Sequence, residues 1–171
     1  MKSIILLLIL LVLSCNIHGQ TVVDESKTEK GTKEGIEITL FQDKPFTGNA
    51  TESYANGNPK SNKSFKDGIT NGLWQEWYEN GKLKFSLNWL NGKEHGLWEY
   101  YHENGVLRSE EIFNLDIPMG ISREYYNNGQ LKMKWSWLSG KKHGFWTYYS
   151  ESGILTKTEL YDNNNLVSTK E

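Results

Sequence analysis

Hydrophobic and polar positions along this chain repeat every 24 residues. From Gly72 it reads GLWQEWYENGKLKFSLNWLNGKEHG, from Gly96 GLWEYYHENGVLRSEEIFNLDIPMG, and from Gly120 GISREYYNNGQLKMKWSWLSGKKHG. A copy from Gly144 and a weaker one from Gly48 keep the same phase, with no insertion or deletion. Nine residues after each leading glycine stands another: Gly57, Gly81, Gly105, Gly129 and Gly153. Asparagine precedes the first four and Ser152 the last. Asn-Gly between apolar-containing runs is a hairpin signal, because a type I′ turn needs positive φ at both central residues. Each unit therefore reads as strand, turn, strand, with the five turn glycines as structural residues. A looser connection such as NGKEHG leads into the next unit.

The phase also sorts side chains by face. A two-residue Asn-Gly loop places Tyr78 across from Leu83 and Trp74 across from Leu87. Those four, with Phe85 and Trp89, line one side, while Leu73 and Trp77 point to the other. A lone hairpin is marginal in water, so the units must be stable collectively. The expected fold is all-β: tandem 24-residue β-hairpin repeats forming an elongated, twisted antiparallel sheet. About ten strands at 4.8 Å would span roughly 45–50 Å.

The W-x-x-x-Y/W pattern, the ENG turn, the late aromatic and the Gly-Lys-x-His-Gly of residues 92–96 and 140–144 carry a resemblance. Over Gly48 to about Leu166 the units resemble MORN repeats, in the variant form close to YYENGKLK…W.NGK.HG.W. Bacterial chains of this type are similar to the YwqK-type family labelled as antitoxins. That resemblance implies a MORN-type fold and a protein-binding role.

Outside the repeats, residues 1–20 read as a signal peptide. Lys2 supplies the positive start, and the apolar run Ile4–Leu13 is too short to span a bilayer. Val12-Leu13-Ser14-Cys15 looks like a bacterial lipobox, making Cys15 the lipidation site and mature N-terminus. Ordinary cleavage near Gly19 or Gln20 is the alternative, and would leave a periplasmic or secreted soluble protein. Cys15 is the single cysteine, so no disulfide staples the fold. Residues 21–35 are polar and aperiodic and read as a flexible linker. Residues 36–171 form the repeat domain, with units starting at 48, 72, 96, 120 and 144. Within it, Ile36–Phe46 alternates as a strand that starts the sheet.

Charge and chemistry narrow the function. A net charge of −2 and a pI near 6.1 force no basic face, so nucleic acid is not an expected partner. His95 and His143 hold equivalent positions two repeats apart, about 19 Å by strand spacing, too far to share a metal. His102 sits where Tyr78 and Tyr126 sit in other units, which points to packing. The carboxylates are spread evenly rather than paired, and no phosphate or nucleophile-elbow motif is present. Neither an enzyme, a cofactor nor a metal is expected.

Aromatic residues are 13% of the chain, seven of them tryptophan. Most are expected to pack between hairpins. Trp74, Tyr78, Trp98, Tyr126 and Trp146 make the candidate binding face. The function expected is a protein-interaction scaffold or antitoxin-like module in the bacterial cell envelope, held to a membrane only through the lipid on Cys15. The alternative is a glycan- or cell-wall-binding module, which calls for tryptophans exposed on one face.

Overall fold

The computed structural model describes residues 21–171; the leader and Cys15 lie outside them. The chain is a single long sheet of hairpins with a small sheet folded over its N-terminal end. Strands β1 (Val22–Asp24), β2 (Thr28–Lys33), β3 (Ile36–Phe41) and β4 (Lys44–Pro45) precede the repeats. The hairpins then run through β5 (Gly48–Ser53), β6 (Pro59–Lys66), β7 (Ile69–Trp77), β8 (Leu83–Leu90), β9 (Lys93–Tyr101) and β10 (Leu107–Asn114). They continue through β11 (Ile117–Tyr125), β12 (Leu131–Leu138), β13 (Lys141–Lys142), β14 (Gly144–Tyr149), β15 (Leu155–Asp162) and β16 (Asn165–Lys170). Strands β5 to β16 pair in sequence order, β13 only with β12, and β1 adds in parallel beside β5 to complete a 13-stranded sheet. The all-β, tandem-hairpin architecture follows the expectation.

The two kinds of turn exchange the roles the sequence suggests. In the Glu-Asn-Gly turns, Gly81 N–H donates to Tyr78 O and Tyr78 N–H to Lys82 O, which encloses three residues. Only the glycine takes positive φ, 82° at Gly81. This is a type I turn closed by a left-handed glycine, not the type I′ turn expected. The I′ turns lie between units. Asp67-Gly68, Asn91-Gly92, Leu115-Asp116, Ser139-Gly140 and Asn163-Asn164 each have two consecutive positive φ values. Their flanking residues pair directly, as Leu90 does with Lys93. The connection expected to be loose is the tightest in the unit.

Register changes accordingly. Trp74 pairs with Leu87 as expected, but Leu83 pairs with Trp77 rather than Tyr78. The three-residue loop shifts the first pair, and a bulge between Glu76 and Trp77 restores the phase beyond it.

Both edges of the array are stitched from unit to unit. Along one, Tyr54, Tyr78 and Tyr126 donate their hydroxyls to Trp77 O, Tyr101 O and Tyr149 O, each at 2.8 Å. His102 Nε2 lies 2.9 Å from Tyr125 O in the same position. The turn asparagines work twice: Asn80 Oδ1 accepts from Lys82 N–H, and its Nδ2 donates to Glu103 O of the next unit. Along the other edge, each I′ turn donates a backbone N–H to the preceding connection, as Gly92 does to Thr70 O at 2.8 Å. The last unit carries Ser150 and Ser152 where the others carry a ring and an asparagine.

Residues 21–35, expected as a flexible linker, are instead structured. Val23 is buried with Phe46 and Ala50. Burial opposes the charge on Glu25, but its ion pair with Lys63 (2.5 Å) and the Ser61 hydroxyl (2.7 Å) hold its carboxyl below the usual range. Ile36–Phe41 does not start the long sheet; it is the middle strand of the separate sheet β2-β3-β4. That sheet is sutured to the β6–β7 turn by Thr39 N–H to Gly68 O and Gly68 N–H to Phe46 O, both 2.7 Å. A Cβ at Gly68 would lie 2.8 Å from Thr39 O, so only glycine admits this approach. At the opposite end the chain continues past β15. It turns at Asn163-Asn164 into β16, whose residues are all exposed.

Candidate interaction faces

One row of side chains runs along the aromatic face: Ala50, Lys63, Trp74, Leu87, Trp98, Glu111, Ser122, Trp135, Trp146 and Glu159. They pair directly across strands except at Glu111–Ser122, where the β10–β11 register is bulged, and at Trp135–Trp146, one step beyond the Lys134–Thr147 pair. Rings from neighbouring positions fill in around it. Trp98 stacks at centroid distances of 5.1 Å on both Trp89 and Phe113, and Trp146 lies 5.2 Å from Tyr161. Trp98 Nε1 donates to Asn88 O at 2.8 Å and Trp146 Nε1 to Ser136 O at 3.3 Å. Both rings are buried. In a one-layer sheet, this row serves as the core.

The candidate binding face therefore divides. Trp98 and Trp146 are sequestered, packed against neighbouring rings and, at Trp146, beneath Lys142 Nζ. Tyr78 and Tyr126 are half-buried, with their hydroxyls committed to the backbone of the next unit. Trp74 is the exception. Its Nε1 has no hydrogen-bond partner among the described residues, although the equivalent atoms of Trp98 and Trp146 do. Lys63 Nζ sits 4.8 Å from its ring.

The aromatic row breaks in the middle, where Glu111 and Ser122 stand. Ser122 is fully buried and its hydroxyl makes no hydrogen bond of normal geometry, though it lies close enough to Glu111 to favour the ionised carboxylate. Burial pushes the Glu111 carboxyl up, and the Glu94 carboxylate adds to this. Burial likewise raises Glu94, with Asp116 contributing. At the C-terminal end of the row Glu159 behaves oppositely. Hydrogen bonds from Lys157 and Tyr148 hold it ionised, and burial pushes the Tyr148 hydroxyl upward. No group of three or more metal-ligating side chains converges among the described residues.

The other face is aliphatic and open. Alternation along each strand sends Leu73, Leu97, Ile121 and Phe145, each next to the row above, to this side. They remain 41, 39, 41 and 63% exposed. Ile112 pairs with both Leu97 and Met119, so the patch is continuous across β9, β10 and β11. Strand β11 alone presents Ile117, Met119 and Ile121, all exposed. The Glu110–Arg123 ion pair (2.5 Å) lies within the same central strands. Sequence reasoning placed Leu73 on this face but followed the rings, because tryptophan and tyrosine are the usual interface residues. The signal it passed over was the apolar residue that follows the leading glycine in four units, Leu73, Leu97, Ile121 and Phe145.

No curated protein matches the chain. Three stretches of it, residues 70–91, 94–114 and 120–138, match the MORN repeat variant family, a non-enzymatic family whose repeats are protein- or membrane-binding modules.

Proposed function

We propose that this chain is a non-enzymatic protein-interaction module of the bacterial cell envelope, anchored by lipid on Cys15, that docks a protein partner on its aliphatic face. The observation that carries the docking reading is the continuous patch of Leu97, Ile112, Met119 and Ile121, left exposed while the rings opposite are packed. Apolar patches of this kind on a soluble fold mark association sites. An antitoxin-like role is compatible with such a module when the target is an envelope or secreted toxin.

A photo-crosslinking residue at position 121, compared with one at position 76 on the aromatic face, tests the docking reading in cells. One protein adduct at 121, absent at 76 and lost on Leu97→Asp, is the expected result. Equal labelling at both positions, or none, overturns it. Palmitate labelling that disappears in Cys15→Ser tests the anchor, and an unlabelled wild-type chain overturns that part.

A further inference from the structure

A cleft of about 640 Å³ lies where the small N-terminal sheet overhangs the aromatic face. Its volume falls within the ordinary range for small-molecule sites, about 300–1,000 Å³. Trp74, Phe65, Ile36 and Ile69 supply its apolar walls. Nothing in the repeat pattern demands this space. It exists because β3 is sutured at Gly68 and crosses the first units, while the later units have no such cover.

The charges around the cleft identify the ligand it suits. Six ionisable side chains line it, and all six are joined in pairs. Lys63 meets Glu25 at 2.5 Å, Lys30 meets Glu37 at 2.7 Å, and Lys93 meets Asp116 at 3.5 Å. No unmatched cation is left for a phosphate or carboxylate, and no unmatched acid for a metal or an amine. The polar side chains that remain are neutral: Thr28, Thr39, Thr70 and Asn91. Hydroxyl and amide groups beside one aromatic wall suit a ligand that is uncharged, rich in hydroxyls and apolar on one flat side.

Trp74 also differs from Trp98 and Trp146 in the same column. Trp98 and Trp146 are fixed by indole-to-carbonyl hydrogen bonds and packed against rings, whereas Trp74 lacks that bond and borders the cleft. Its ring is held by Phe85 and Trp89 at about 6 Å and by Lys63. We propose that this cleft binds a neutral saccharide, with one sugar ring stacked on Trp74 and its hydroxyls exchanging hydrogen bonds with Thr70 and Asn91. The site lies on the side of the sheet opposite the aliphatic face, so its failure would leave the docking reading standing.

The test is calorimetric titration of the full chain with neutral oligosaccharides (chitotetraose, cellotetraose and maltotetraose), with ATP as the anionic control. At least one sugar should bind, with affinity unchanged between 50 and 500 mM salt, on the order of the weak screening expected for an uncharged ligand. Trp74→Ala should weaken it at least about tenfold, equivalent to 1.4 kcal/mol. Ile36→Arg, at an exposed position on the cleft wall, should do the same without touching the aromatic row, and decides the matter if Trp74→Ala fails to fold. The proposal is overturned if none of the three sugars binds, if ATP binds more tightly than any of them, or if binding survives Ile36→Arg in a folded chain.

Discussion

The Tyr78 hydroxyl donates to the carbonyl of Tyr101, 23 residues further on, at 2.8 Å. That bond joins two units at their turn edge, outside the strand ladder, and Tyr126 repeats it with Tyr149. Removing one such bond without removing the ring costs about 1 kcal/mol net. Tyr78→Phe and Tyr126→Phe should each lower the urea midpoint accordingly. Ser150→Ala, at the same position in the last unit, should have a smaller effect. Equal losses at all three positions would show that the ladder contributes nothing of its own.

Leu115 occupies the first place of a type I′ turn with φ of 52°, where the other units have Asp67, Asn91, Ser139 or Asn163. A branched aliphatic residue in the left-handed region is strained by roughly 1–2 kcal/mol, and asparagine tolerates that region far better. Leu115→Asn should therefore stabilise the chain, by about 0.5–1 kcal/mol. For a chain of this size that is a rise of about 1–4 °C in Tm by calorimetry. An unchanged or lower Tm would mean that Leu115, 42% exposed, makes a compensating contact.

The period of 24 made the hairpins, their order and the Trp74–Leu87 register legible, because strand alternation and turn glycines are local. The turn types were not. Asn-Gly occurs in both kinds of turn, at Asn80-Gly81 and Asn91-Gly92, and only loop length separates them. The asparagine side chain at Asn80 turned out to matter through its bond to Glu103 O, a contact between units that no single unit reveals. The N-terminal segment was misread for the same reason. Val23 and Glu25 look like parts of a polar tether until Phe46, Ser61 and Lys63 are brought against them.

Glu111 and Glu159 occupy equivalent places in the row and should titrate with opposite effects on stability. Glu111 is raised above its ordinary value by burial and by Glu94, so the folded chain holds its proton to higher pH than the unfolded chain. Its contribution is thus most favourable below the ordinary carboxylate value and is lost as pH rises through the raised one. Glu159 is lowered by Lys157 and Tyr148, so its contribution is present at neutral pH and lost as pH falls through its folded value. Glu111→Gln should raise Tm at pH 7.5 and change it little at pH 4. Glu159→Gln should lower Tm at pH 7.5, with the difference shrinking in acid. Melts at the two pH values check both signs.

Leu97 and Trp98 are chain neighbours on opposite faces, and they separate folding from binding. Trp98 is 8% exposed, with Trp89 and Phe113 at 5.1 Å and its indole bonded to Asn88 O. Truncating a buried aromatic costs about 3–5 kcal/mol, so Trp98→Ala should collapse the central units, seen as lost near-UV circular dichroism. Leu97 is 39% exposed, and Leu97→Ala leaves the row untouched. It should keep the spectrum and cost less than about 1 kcal/mol, while weakening capture of the partner crosslinked at position 121. If Trp98→Ala stays folded and loses the partner while Leu97→Ala keeps it, recognition belongs to the aromatic side and the two faces exchange roles.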